Sequence, residues 1–98
     1  MLNSESNKFE RLRVIGLSKT AIACYASLVE DGSTTIALLA ERLALSPNSL
    51  YRVLNKLEVL GFITRAGSPA HIYSVPLAQA LENYRIYVNR TLRSLLIK

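Results

Sequence analysis

Between Ser46 and Gly61 the chain spells out both ends of one helix and two unlike faces along it. Few folds can use such a segment. Ser46 is a good N-cap, Pro47 suits the first helical position, and Gly61 supplies a C-terminal stop. At about 100° per residue, Leu50, Val53, Leu54, Leu57 and Leu60 fall in one broad arc. Asn48, Ser49, Arg52, Asn55 and Lys56 collect opposite them, and Glu58 lies to the flank. The outer stripe therefore holds donors and amides but no acid. The compact helix expected over Ile36 to Leu43 precedes this segment, with Leu39, Ala40 and Leu43 inward. Ala44 and Leu45 leave room only for a short turn. Two helices joined this way form a helix-turn-helix, whose second helix must pack one face on a core and offer the other to a major groove.

The flanking sequence extends this frame. Phe62 to Arg65 reads as a strand, Ala66 to Ala70 as a turn, and His71 to Val75 as the returning strand. Pro76 breaks that strand, and a long helix is expected from Leu77 to about Ile97. Upstream, Phe9, Leu12 and Ile15 give helical spacing over residues 5–15. Leu17 to Asp31 reads as a helix capped by Ser18 and ended by Gly32. There Ile22, Tyr25, Ala26 and Val29 share one face, which Ala21, Cys24 and Leu28 widen. Ser33-Thr34-Thr35 is short, β-prone and able to cap. The expected fold is mainly α with a small β-hairpin: a winged helix-turn-helix with an added long C-terminal dimerisation helix. Residues 1–16 form an N-terminal helix or arm, residues 17–76 the DNA-binding domain, and residues 77–98 the dimerisation helix.

Composition narrows the partners. The net charge is +5, and its distribution says more than its sum. From Arg42 to Lys98 there are eight Lys/Arg against two acids, Glu58 and Glu82. That excess favours a polyanionic partner. No apolar stretch approaches the roughly 18 residues of a membrane span, and Met1 to Lys8 is polar, without the apolar segment of a secretion signal. The single cysteine, Cys24, can form no internal disulfide and no CxxC metal site. A buried structural thiol in a reducing cytoplasm is the expectation. Paired carboxylates, GxSxG, P-loop and HExxH patterns are all missing. Neither enzyme activity, a cofactor nor a metal is expected.

The outer stripe has the chemistry for nucleic acid. Arg52 can fork onto guanine O6 and N7, and Asn48 or Asn55 can pair with adenine N6 and N7. Lys56 can neutralise a phosphate. Ser49 can bond a phosphate with help from the N–H groups at the helix start. Tyr51 serves equally as a packing residue or a phosphate contact. Taken alone, such a stripe is most often just the solvated side of an amphipathic helix. The hairpin that follows changes that balance, since it reads as a wing whose tip, flanked by Arg65 and His71, can meet the backbone or the minor groove. His71 is otherwise a plain surface strand residue.

At this point the chain resembles the TrmB-type regulators, mostly archaeal winged-helix transcription factors. Leu17-Ser18-Lys19-Thr20, Tyr25 and Glu30-Asp31-Gly32 resemble their opening helix. Leu39-Ala40-Glu41-Arg42-Leu43 resembles their second. Ser49 to Glu58, with Leu60-Gly61-Phe62-Ile63, is similar to their recognition helix and first wing strand. Tyr73-Ser74-Val75-Pro76, followed by Ala80-Leu81, is similar to the end of the wing and the next helix. The resemblance covers about Leu17 to Tyr84 and implies binding of double-stranded DNA. Two departures stand out. Ala21 and Ala23 occupy positions where the family often has a charge, and Pro47 and Asn48 stand where a basic residue often opens the recognition helix. Longer members carry a C-terminal sugar-binding domain. The 98 residues leave no room for one, so no sugar sensing is carried over and any small-molecule effector is left open.

The last helix has its own pattern. Leu77, Leu81, Tyr84, Val88, Thr91 and Leu95 alternate steps of four and three, a heptad seam, with Ile86, Leu92 and Leu96 beside it. So small a domain has little core left to cover this surface. A homodimer is expected through Leu77, Leu81, Tyr84, Val88, Leu92 and Leu95, joined by Phe9 and Leu12. Folding back on its own domain is the alternative. Three functions stay open at this stage: a sequence-specific DNA-binding regulator, a winged-helix protein-interaction module, and a non-specific architectural DNA binder.

Overall fold

Local capping sets most of the element boundaries in the computed structural model, which describes residues 8–97. Helix α1 (Lys19–Asp31) begins where Ser18 Oγ accepts the Ala21 N–H at 3.1 Å. Strand β1 (Thr34–Thr35) leads directly into α2 (Ile36–Leu43), and Thr35 both ends the strand and caps the helix through Leu38 N–H. Helix α3 (Pro47–Leu60) starts at Ser46, whose Oγ accepts the Ser49 N–H at 3.2 Å. Strands β2 (Ile63–Ala66) and β3 (His71–Ser74) form the wing, and α4 (Leu77–Leu96) closes the chain. Ser18, Thr35 and Ser46 each satisfy one of the donors that a helix start leaves unpaired, whereas α4 starts at Pro76 without a side-chain cap.

The helix expected over residues 5–15 is only partly helical. Residues 8–10 are α-helical and Arg11–Ile15 tighten into a 3-10 turn that ends at Gly16, while residues 5–7 lie outside the described part. Of the expected N-terminal arm, residues 1–7 lie outside the described part.

The sheet has three antiparallel strands in the order β1-β3-β2, one more than a simple hairpin. Thr34 sits opposite Ile72, and Ile72 sits opposite Arg65. Pairing with β1 covers the edge of β3 and ties the wing to the start of α2. Ile63 and Ile72 point into the core from adjacent strands. That core is continuous: Tyr25 and Leu28 from α1, Leu39 from α2, Leu50, Leu54 and Leu57 from α3, and Phe62 are almost wholly buried. Tyr25 lies at its centre, with edge-on contacts to Phe9 at 5.5 Å and Phe62 at 5.3 Å between ring centroids. Its hydroxyl donates to the Val75 carbonyl at 2.6 Å, so a buried polar group is satisfied and the end of the wing is pinned to α1. Val29, expected inward, is exposed, because it follows the last turn of α1 that the core reaches.

The α3–β2 junction needs a glycine for two reasons. Gly61 has φ of 87°, a left-handed conformation that costs an ordinary residue strain. A Cβ there would also lie 2.4 Å from Asn83 Cβ on α4. Asn83 Nδ2 donates to the Gly61 carbonyl at 2.8 Å, so α3 ends directly against α4.

Candidate nucleic-acid interface

The apolar arc of α3 is consumed by the core, and this fixes which side faces out. Leu50, Leu54 and Leu57 are fully buried, whereas Asn48, Ser49, Tyr51, Arg52, Asn55 and Lys56 are exposed. Arg52 and Lys56 have no ion-pair partner among the described residues. Arg42, by contrast, is engaged within the domain: its Nη1 donates to Ser27 Oγ at 3.2 Å and lies 3.7 Å from Asp31, tying α2 to α1. Val59 falls on the same stripe two turns after Arg52 and is 62% exposed. It ends the polar row with an apolar group.

The start of α3 differs in detail from the sequence expectation. Ser49 N–H is taken by the Ser46 cap, and Leu50 N–H bonds the Ser46 carbonyl. Ser49 cannot offer its own backbone N–H to an anion. Its Oγ accepts from the Ser46 hydroxyl at 3.0 Å, which leaves the Ser49 hydroxyl proton free to donate outward.

The wing departs further. Arg65 is not a free cation at the tip. Its guanidinium bonds Glu58 through Nε at 3.1 Å and again through Nη2, and Nη2 also donates to Asn55 Oδ1 at 2.8 Å. The reason is strand periodicity. Side chains two apart share a face, so an inward Ile63 puts Arg65 on the same side, over α3. That signal was present in Phe62-Ile63-Thr64-Arg65, and it assigns the outer face to Thr64 instead. Thr64 pairs with Tyr73, and Tyr73 is exposed. Tyr73 was missed as a wing residue although it alternates with Ile72. His71 is half-buried between Thr35 of β1 and Ala66 of β2, with its ring 6.5 Å from that of Tyr73.

The residues expected to pair two copies divide into three groups. Phe9 and Leu12 are corrected: both are buried in the chain's own core, Phe9 against Tyr25, because a small domain uses every apolar group near its centre. Leu77 and Tyr84 are half-buried against that core, and the Tyr84 hydroxyl donates to the Ile15 carbonyl at 3.1 Å. Val88 is half-buried as well. Leu81, Leu92 and Leu95 remain exposed, as do Ile86, Tyr87, Leu96 and Ile97. The 3-10 turn and α4 border an apolar groove of about 490 Å³, lined by residues including Val14, Ile15, Leu77 and Leu81.

Cys24 lies fully within the core, where desolvation pushes its thiol up to about 11, away from the reactive thiolate. No described helix is long and apolar enough to cross a membrane.

A family model described as "Sugar-specific transcriptional regulator TrmB" matches residues 12–78. No curated protein sequence matches the chain. Several solved structures share the fold. A protein of the thermoacidophilic archaeon Sulfolobus tokodaii aligns with a TM-score of 0.69 at 23% identity, over 93% of this chain and 96% of that one. A transcriptional regulator of Thermotoga maritima gives 0.65 at 15% identity, over 93% and 67%. AbfR of Staphylococcus epidermidis gives 0.63 at 20%, over 94% and 78%. The fold is therefore the winged helix expected from the capping and periodicity, and the family is one of regulators rather than enzymes. With its match spanning the helix-turn-helix and the wing, the chain belongs to the TrmB family and is a DNA-binding transcriptional regulator.

Proposed function

We propose that the protein binds double-stranded DNA sequence-specifically, with α3 in the major groove, the wing on the backbone or minor groove, and two copies acting as a homodimer. One observation carries this reading: the exposed stripe of α3 presents Asn48, Ser49, Arg52, Asn55 and Lys56 with no acid among them, on a helix whose other side is locked in the core. Arg52 is the guanine reader and Asn48 an adenine reader. Lys56 and the Ser49 hydroxyl hold phosphates and set the register. Tyr73 and His71, on the outer face of the wing, are the backbone contacts of that element. The exposed apolar residues of distal α4 support pairing of two copies, which would carry two α3 helices to half-sites about one DNA turn apart.

Selecting bound sequences from a random DNA pool tests this reading. The expected product is a palindromic consensus. Arg52→Ala should then cost about 1–3 kcal/mol on the selected site. Lys56→Ala should weaken binding to every sequence by a similar factor and flatten its salt dependence. Equal, salt-dependent binding of all sequences would instead make the protein an architectural binder. The exposed Val59 on the same stripe favours a second reading, a protein-docking surface. That reading gains if the purified protein selects no DNA at all.

A further inference from the structure

Asn48 and Asn55 both project from the exposed side of α3, yet they are not equivalent. Asn48 has no side-chain hydrogen bond among the described residues, whereas Asn55 Oδ1 accepts from Arg65 Nη2 at 2.8 Å. We propose that Arg65 is a positioning residue that decides what Asn55 can read: its hold on Oδ1 fixes the amide so that Nδ2 is the atom offered to a base, which favours guanine over adenine. This rests on the DNA reading given above and deepens it.

The chemistry follows from the donor inventory. A guanidinium has donors and no acceptor, so the amide atom facing Arg65 must be the oxygen. The amide is planar, which turns Nδ2 away from Arg65, and Nδ2 has no protein partner among the described residues. Recognition of adenine by asparagine needs both amide atoms, with Oδ1 accepting from N6 while Nδ2 donates to N7. The Arg65 bond takes one of the two Oδ1 lone pairs and fixes the amide plane, so Nδ2 is the amide atom left without a protein partner. Guanine offers that donor two adjacent acceptors, N7 and O6, on its major-groove edge, whereas adenine offers N7 beside a donor and cytosine a donor.

Arg65 is itself well held. Glu58, one turn beyond Asn55 on α3, bonds both Nε and Nη2 of its guanidinium, and Ile63 anchors the same strand face in the core. The carboxylate on the flank of the stripe thereby faces a cation of its own chain instead of a DNA phosphate. Wing and recognition helix are coupled through three side chains, so the wing acts on base choice as well as on backbone contact.

The test compares random-pool selections for the wild type, Arg65→Met and Asn55→Ala, with the Asn55 side-chain amide followed by NMR in the free proteins. Arg65→Met keeps an apolar stem and removes the donors. Melting curves and amide spectra confirm that each variant is folded. In the wild type, one consensus position should favour guanine, and Asn55→Ala should erase that preference alone. In Arg65→Met the same position should move toward adenine by about tenfold, with the other positions unchanged. The Asn55 amide signal should shift on Arg65→Met without DNA. Affinity lost evenly over all sequences, with every base preference kept, would overturn the proposal and make Arg65 a phosphate contact. A consensus selected while the Asn55 signal stays unmoved by Arg65→Met would overturn the clamp but spare the DNA reading. A moved signal with no sequence selected by any protein would uphold the Arg65–Asn55 contact but overturn the DNA reading and, with it, the proposed base preference.

Discussion

Helices α3 and α4 are both amphipathic, but only α3 has its apolar side covered by its own domain. In α3 the residues Leu50, Leu54 and Leu57 are fully buried and the helix is wedged between α1, α2 and the wing. In α4 only Ala80 is fully buried, with Leu77 and Tyr84 half-covered, and from Arg85 onward almost every side chain is exposed. Leu95 and Leu96 are 74% and 83% exposed, close to the values of a free chain. The contrast separates two sources of helical stability. Isolated helices are marginal in water, and most owe their stability to tertiary packing. Helix α3 has that packing within the protomer. The distal half of α4 lacks it within the protomer, and the proposed pairing of two copies would supply it.

Substitutions on the two helices should therefore break different things. The largest effect belongs to Leu54→Ala, which should lower protomer stability by about 2–5 kcal/mol in chemical denaturation, as expected for a cavity in a dense core. Leu95→Glu should leave that protomer stability almost untouched and weaken self-association on the order of 100-fold, because it sets a charge in an apolar seam. Sedimentation at several concentrations reads this directly. A Leu95→Glu protein that unfolds like Leu54→Ala would show that α4 belongs to the protomer core, and the comparison would fail.

A smaller change sharpens the same contrast at the anchor of α3. Ala44, in the turn between α2 and α3, has φ of 55°, a left-handed conformation that a side chain disfavours. Ala44→Gly should raise stability by about 0.5–1 kcal/mol, with the melting temperature as the measure and self-association unchanged. The smallest effect is the pH dependence that Cys24 contributes. Burial raises its thiol from 9.0 to about 11, so the folded state favours the protonated form. The stabilisation is complete below the ordinary value of 9.0 and drains away as pH rises from there toward 11. Cys24→Ala should reduce the alkaline loss of stability, read as the slope against pH, apart from the constant offset that its small cavity adds at every pH. The residual slope reports on Tyr25, which burial raises to about 12.

Much of the interface was legible because α3 is specified locally. Ser46, Pro47 and Gly61 bound it, and the arc of Leu50, Leu54 and Leu57 alone determines that Arg52 and Lys56 face out. The wing was legible as a hairpin but not as a surface. Arg65 looked like a free cation at the tip because its charge drew more notice than the register set by Ile63. Tyr73 went unnoticed for the same reason. The third strand, Thr34–Thr35, was visible as β-prone, yet nothing nearby in the chain names β3 as its partner.

Caps, helix limits and the two faces of α3 depend on residues within a few positions of one another, and order along the chain was enough to determine them. Which apolar groups the core absorbs, and which it leaves over, depends on residues many positions apart. Phe9 against Tyr25, Tyr84 on Ile15 and Arg65 between Asn55 and Glu58 are all choices of that kind. Only the folded chain decided them, because a side chain with several energetically similar uses takes the one that the surrounding packing brings within reach.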